Sequence, residues 1–182
     1  MELYEKKLSS EQIFDGKVVK LFVDRVELPD GKEAIREIVR HPGAVCVIPV
    51  TDDGDVIMVK QYRYAFERIM LEIPAGKLEP GEDPLEAVKR ELEEESGVVA
   101  GNIEYMGEIF TTVAIFDEKI HAYLATGLEF NDSHPDDDEF LEVERIPLSK
   151  LLQMVMNGEI KDAKTQIAIL KASNILSKRK TK

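Results

Sequence analysis

Cysteine is almost missing from this chain: one residue, Cys46, in 182. A single thiol excludes any disulfide within the chain. Its place in the apolar run 44–50 reads as a small buried hydrophobe rather than a nucleophile. Positive charge is scarce too, with 24 Lys and Arg against 36 Asp and Glu, a net charge of −12 and a pI near 4.8. That balance argues against a general binder of nucleic acid or of anionic membranes. A polyanionic substrate would need metal ions and a few local arginines to offset the field. No apolar run is long enough to span a bilayer and no signal-peptide pattern is present, so a cytoplasmic location is expected. Internal repeats and low-complexity segments are also lacking. What remains, 43% hydrophobic and 33% charged, is a globular composition. Its length suits one domain, or one domain with a small appendage, with a sizeable core.

Residues 1–16 are polar with few periodic cues and read as a loosely held lead-in. Residues 17–28 are rich in β-branched side chains and predict a strand, Pro29-Asp30-Gly31-Lys32 a turn, and 34–40 a returning strand. The almost wholly apolar 44–50 predicts a buried strand. Asp52-Asp53-Gly54-Asp55 predicts a hairpin loop leading into a strand over 56–62. That acidic turn lacks the spacing and closing Glu of a calcium loop. Further strands are expected over 70–75, 103–111, 119–128 and 140–146, with an acidic loop over 131–139. Ser149 is expected to cap a helix running to about 157–158, and Asp162 a second one. Strands and helices mix without strict alternation, which favours α+β.

The chemistry concentrates in residues 76–98. Asp83 suits an N-cap, Pro84 the first helical position, and Gly97 the left-handed residue past the end. Glu86 completes an Asp-x-x-Glu spacing like a capping box. Leu85, Val88 and Leu92 recur at helical spacing as one apolar stripe. Beside it Glu91, Glu94 and Glu95 stand at i, i+3 and i+4. Like charges so spaced cost about 0.2–0.5 kcal/mol per pair. A hard divalent cation would turn that repulsion into a binding site. A solvated acidic face is the competing reading of the charges alone.

The spacing of Gly76, Glu82, Arg90-Glu91-Leu92, Glu94-Glu95 and Gly97-Val98 resembles the signature of the Nudix hydrolases at every fixed position. The resemblance implies an α+β Nudix fold, a mixed sheet between helices. It also implies a Mg2+-dependent hydrolase, with Mn2+ as a substitute ion, that cleaves a nucleoside diphosphate linked to another group. The implied metal ligands are Glu91, Glu95, Glu94 and the backbone carbonyl of Ala75. Glu82 and Arg90 would brace the loop against the helix, and Gly76 and Gly97 would be structural. Glu94 and Arg90 join Glu139 in the implied catalytic set. The base lies open between a Glu of this helix and Glu139, which sits before the strand that follows the acidic loop.

Over nearly the whole chain the sequence is similar to the ADP-ribose pyrophosphatase group of that family. The similarity rests on residues 36–45, on Lys60-Gln61-Tyr62-Arg63, on residues 71–76 and on Asp162-Ala163-Lys164-Thr165. It implies an N-terminal β-region, residues 1–42, exchanged across a homodimer, and a hydrolase domain over 43–182. Arg63, then Arg36 and Glu37, are the implied substrate contacts. One departure concerns specificity: the group's Pro-Gly pair is replaced by Val113-Ala114, ahead of Asp117-Glu118. The resemblance makes ADP-ribose, hydrolysed to AMP and ribose 5-phosphate, the first expectation. Another nucleotide sugar or a dinucleotide is the second. A sensor that binds such ligands without turnover is the third, and the complete set of glutamates argues against it.

Overall fold

The computed structural model describes residues 3–131 and 140–180. In chain order it contains β1 (Lys6–Asp15), β2 (Lys20–Glu27), β3 (Glu33–Arg40), β4 (Ala44–Pro49), β5 (Asp55–Arg63), β6 (Arg68–Glu72) and β7 (Ala75–Lys77). There follow α1 (Pro84–Ser96), β8 (Val98–Phe110), β9 (Lys119–Phe130), β10 (Leu141–Pro147), α2 (Leu148–Met156) and α3 (Ala163–Lys180). The chain forms two compact units, Met1–Gly43 with Phe110–Lys119, and Ala44–Ile109 with Ile120–Lys182.

The first unit is an antiparallel sheet in the order β1-β2-β3. Its β2–β3 connection closes with the Gly31 amide donating to the Leu28 carbonyl at 2.8 Å. Gly31 has φ 84°, the conformation a turn glycine supplies without steric cost. The lead-in expected over 1–16 is instead largely β1, a ten-residue strand paired along β2. Register shifts between Lys7 and Ser9 and between Gln12 and Phe14 break its alternation, and all ten residues are exposed. With neither face buried, no period-2 pattern is imposed on the sequence. Within the same unit the 110–119 segment is clasped to β3. Val39 donates to the Ile115 carbonyl at 2.7 Å, and the Asp117 carboxylate accepts from the His41 amide (2.8 Å) and from Arg40 Nη1 (3.0 Å).

The second unit is built on β4, buried at every residue. It lies inside the four-stranded sheet β7-β4-β9-β8, antiparallel to β7 and parallel to β9. Side chains alternate between the sheet faces. Cys46, Ile48, Ala122 and Leu124 meet Leu151 and Val155 of α2 and Ala168, Ile169 and Ala172 of α3. Val45, Val47, Tyr123 and Ala125 meet Ala87, Val88 and Leu92 of α1. A mixed sheet between helices is thus present, as expected. A second, antiparallel sheet has the order β10-β5-β6.

Two local expectations are corrected. The strand expected over 70–75 is divided: β6 pairs with β5 and β7 with β4, in different sheets. Ile73 and Pro74 form the crossing. Pro74 has no N–H to place in a ladder, and the Ile73 amide donates to Thr165 Oγ1 at 3.0 Å. Helix α2 starts at Leu148, with no side-chain cap from Ser149. The Leu148 amide, the first of the helix, donates instead to the Gly54 carbonyl at 3.0 Å. Asp162 does cap α3, its carboxylate accepting from the Thr165 amide at 2.9 Å.

Candidate active site

Helix α1 begins and ends as its sequence dictates. Asp83 is the N-cap and accepts from the Leu85 amide at 2.8 Å. Pro84 occupies the first position, and Gly97 closes the helix at φ 66° with its amide on the Glu93 carbonyl. Two details differ from expectation. Glu86 accepts from Lys89 Nζ at 2.7 Å instead of closing a capping box. Leu85 is exposed, so the buried stripe consists of Ala87, Val88 and Leu92.

The carboxylates beside that stripe meet β7. Glu95 is buried, at 4% exposure, and its Oε2 accepts from the Ala75 amide at 3.0 Å. Glu91 lies against Gly76 so closely that a Cβ on this glycine would sit 1.9 Å from the Glu91 carboxyl carbon. Gly76 is opposite Val45 in the β4–β7 ladder and Ala75 opposite Cys46, so the central strand fixes the backbone that both carboxylates touch.

Arg90 gathers the remaining acids. Nε and Nη2 donate to the two oxygens of Glu82 at 3.0 and 3.1 Å. Nη1 donates to Glu91 at 2.8 Å and to Glu94 at 2.9 Å. Glu82 also accepts from the Glu79 amide at 2.9 Å, which folds the loop onto the helix. One guanidinium therefore offsets the like-charge cost of the Glu run. Its hydrogen bond to Glu82 leads the causes that hold the guanidinium above its ordinary pKa, and the same bond holds Glu82 below the usual carboxylate range.

A divalent cation fits this donor set in chemistry: Glu91, Glu94 and Glu95 with the Ala75 backbone offer hard oxygen ligands alone. Among the described residues no cluster of three or more acidic, His or Cys side chains is already arranged around a cation position. In this conformation Glu91 and Glu94 accept from Arg90, and Glu95 from the Ala75 amide.

Arg63, placed by sequence in a substrate role, sits at the end of β5 with Nε and Nη2 on the two oxygens of Glu72, both at 2.7 Å. Lys164 reaches the same buried carboxylate at 2.5 Å and Asp162 at 3.1 Å. Burial works to raise the Glu72 carboxyl, but Arg63 and Lys164 outweigh it and hold it at about 2. Sequence reading missed this ion network, because Glu72 and Lys164 lie 92 residues apart. Its one trace was the Asp162-Ala163-Lys164-Thr165 string. Arg36 and Glu37 lie on β3 in the first unit. Arg36 pairs with Glu5 at 2.6 and 2.9 Å, and Glu37 is opposite Val23. Val113 is 82% exposed. Glu139 lies outside the described residues. A cavity of about 200 Å³ opens between Arg68–Leu71 of β6 and residues 159–161, and none of the α1 carboxylates lines it.

A family model described as NUDIX domain matches residues 40–166, and one described as nucleoside diphosphate sugar hydrolase N-terminal domain matches residues 5–39. The chain is 48% identical over 169 residues to an ADP-ribose pyrophosphatase of Bacillus subtilis (strain 168), covering 92% of this chain and 91% of that protein. It is equally 48% identical, over 167 residues, to a methanol dehydrogenase activator of Bacillus methanolicus, covering 91% and 90%. The crystal structure of an ADP compounds hydrolase superposes with a TM-score of 0.88 over 98% of both chains at 22% identity, which shows a common fold.

Proposed function

The chain belongs to the NUDIX domain family, and from that premise we propose that it hydrolyses the pyrophosphate bond of ADP-ribose, or of a closely related nucleoside diphosphate sugar, to AMP and ribose 5-phosphate. The observation that carries this reading is the pair Glu91 and Glu95 seated on the Ala75–Gly76 backbone, opposite the buried central strand. In the reaction a water oxygen bonds to one phosphorus. The bond from that phosphorus to the bridging oxygen breaks, and the bridging oxygen leaves with the other phosphate.

Glu91, Glu95, Glu94 and the Ala75 carbonyl would hold Mg2+, or Mn2+ in its place. The bound metal supplies charge neutralisation for the pyrophosphate and lowers the pKa of water. Arg90 keeps the loop against the helix through Glu82. Arg63 would contact substrate on being released from Glu72, with Arg36 and Glu37 as further contacts, and either Glu139 or a Glu of α1 would act as base. The N-terminal region 1–42 is assigned to dimerisation of a cytoplasmic enzyme. Among the described residues no helix is long and apolar enough to cross a membrane.

Product analysis tests this directly, on ADP-ribose, other nucleotide sugars and dinucleoside polyphosphates with and without Mg2+. Metal-dependent AMP and ribose 5-phosphate, fastest from ADP-ribose, is the expected result. A faster alternative substrate would keep the pyrophosphate chemistry and move the substrate assignment. The equal identity to a dehydrogenase activator supports a second reading, in which the protein stimulates a dehydrogenase partner. A methanol dehydrogenase assay run with and without this protein tests the second reading.

A further inference from the structure

We propose that Thr165, at the start of α3, is a positioning residue for the Glu91–Glu95 site, acting through the backbone of residues 72–75. The proposal rests on the reading of Glu91 and Glu95 as metal ligands.

The Thr165 hydroxyl is completely buried and has two partners. It donates to Asp162 Oδ2 at 2.6 Å and accepts from the Ile73 amide at 3.0 Å. Because its proton is committed to Asp162, a lone pair is directed at Ile73. The backbone that follows is held at each step. Glu72 is fixed by Arg63 and Lys164, the Pro74 carbonyl accepts from the Val47 amide at 3.0 Å, and the Ala75 amide donates to Glu95 Oε2 at 3.0 Å.

These bonds form one connected path from the first turn of α3 to the carboxylate of Glu95. Ile73 lies in the crossing between two sheets, in neither ladder, and its amide donates to Thr165 rather than to a strand partner. The anchor on Ile73 comes from α3. A small shift there would be passed to Ala75, and with it to the amide that orients Glu95 and to the carbonyl assigned to the metal. Partners that orient metal ligands from behind commonly alter affinity or activity roughly 10–100-fold when removed.

The test uses the whole chain and Mn2+ as probe, with free Mn2+ read by electron paramagnetic resonance and kcat and KM for ADP-ribose measured in parallel. Thr165→Val keeps the shape and removes both the acceptor for Ile73 and the donor to Asp162. It is expected to weaken Mn2+ binding roughly 10-fold and to lower kcat more than it raises KM. Thr165→Ser retains the hydroxyl and is expected to restore both. Ala168→Gly, on the same helix, destabilises α3 while leaving the Thr165 hydroxyl in place and is expected to leave Mn2+ affinity unchanged. Thr165→Cys, a weak acceptor of similar size, replaces the valine variant if the latter does not fold.

Unchanged Mn2+ affinity in the variant lacking the acceptor overturns the proposal, as does equal weakening by Ala168→Gly. A wild-type chain that binds no Mn2+ overturns the metal reading beneath it. Mn2+ binding without turnover of ADP-ribose overturns only the substrate assignment.

Discussion

A methyl group on Gly76 would fall 1.9 Å from the carboxyl carbon of Glu91. The obstacle is the end of a flexible side chain, so Gly76→Ala is expected to fold by swinging Glu91 away. Activity should then fall roughly 100-fold, with a circular-dichroism spectrum like that of wild type. An unchanged kcat/KM would show that Glu91 does not need its present place. At this scale much of the site was legible. Gly76, Glu82, Arg90 and the three glutamates stand in one contiguous stretch, and helical spacing alone puts the glutamates on one face. What spacing could not give is their difference in environment. Glu95 is buried against the Ala75 amide, whereas Glu94 is partly exposed on Arg90. That distinction arises from β7, and nothing in the helix sequence encodes where β7 passes.

Between elements, the Glu72 network ties β5, β6 and the start of α3 together, and it carries a pH signature. Folding lowers the Glu72 pKa from an ordinary 4.5 to about 2. A carboxyl depressed in this way stabilises the fold fully above its unfolded pKa, and the stabilisation is lost as pH falls through 4.5 towards 2. The contribution is on the order of 3 kcal/mol. Urea midpoints measured from about pH 6 down to about pH 3 should therefore fall more steeply in wild type than in Glu72→Gln. Parallel slopes would remove Glu72 as the cause. Elements with a buried face were readable: β4 from its apolar run, α1 from its caps, α3 from Asp162. Strand β1 was not, since its register shifts and complete exposure leave no periodic mark. The split of 70–75 between two sheets was hidden for a different reason. Residues 70–75 read as one run in the sequence, and the partners that separate its halves, β5 and β4, are set by topology.

For the molecule as a whole, β1 is a sheet edge with no strand beyond it among the described residues, bearing exposed Leu8 and Ile13, the kind of edge that pairs with another chain. Light scattering is expected to give twice the chain mass of 20.6 kDa, and Leu8→Asp with Ile13→Asp to return it to one chain. A wild-type mass of one chain would overturn the dimer. The α+β class followed from the order of elements and the mixed sheet between helices from the family resemblance, whereas the Glu72 ion network needed three dimensions. Cys46 sits on the central strand β4, 0% exposed, and burial drives its thiol up to about 12. The protein therefore carries its own unfolding clock. An alkylating reagent can reach the thiol only when the central strand opens, so the rate of labelling in native buffer counts those openings. Any cysteine engineered onto the surface will in turn be labelled selectively, without first removing the native one.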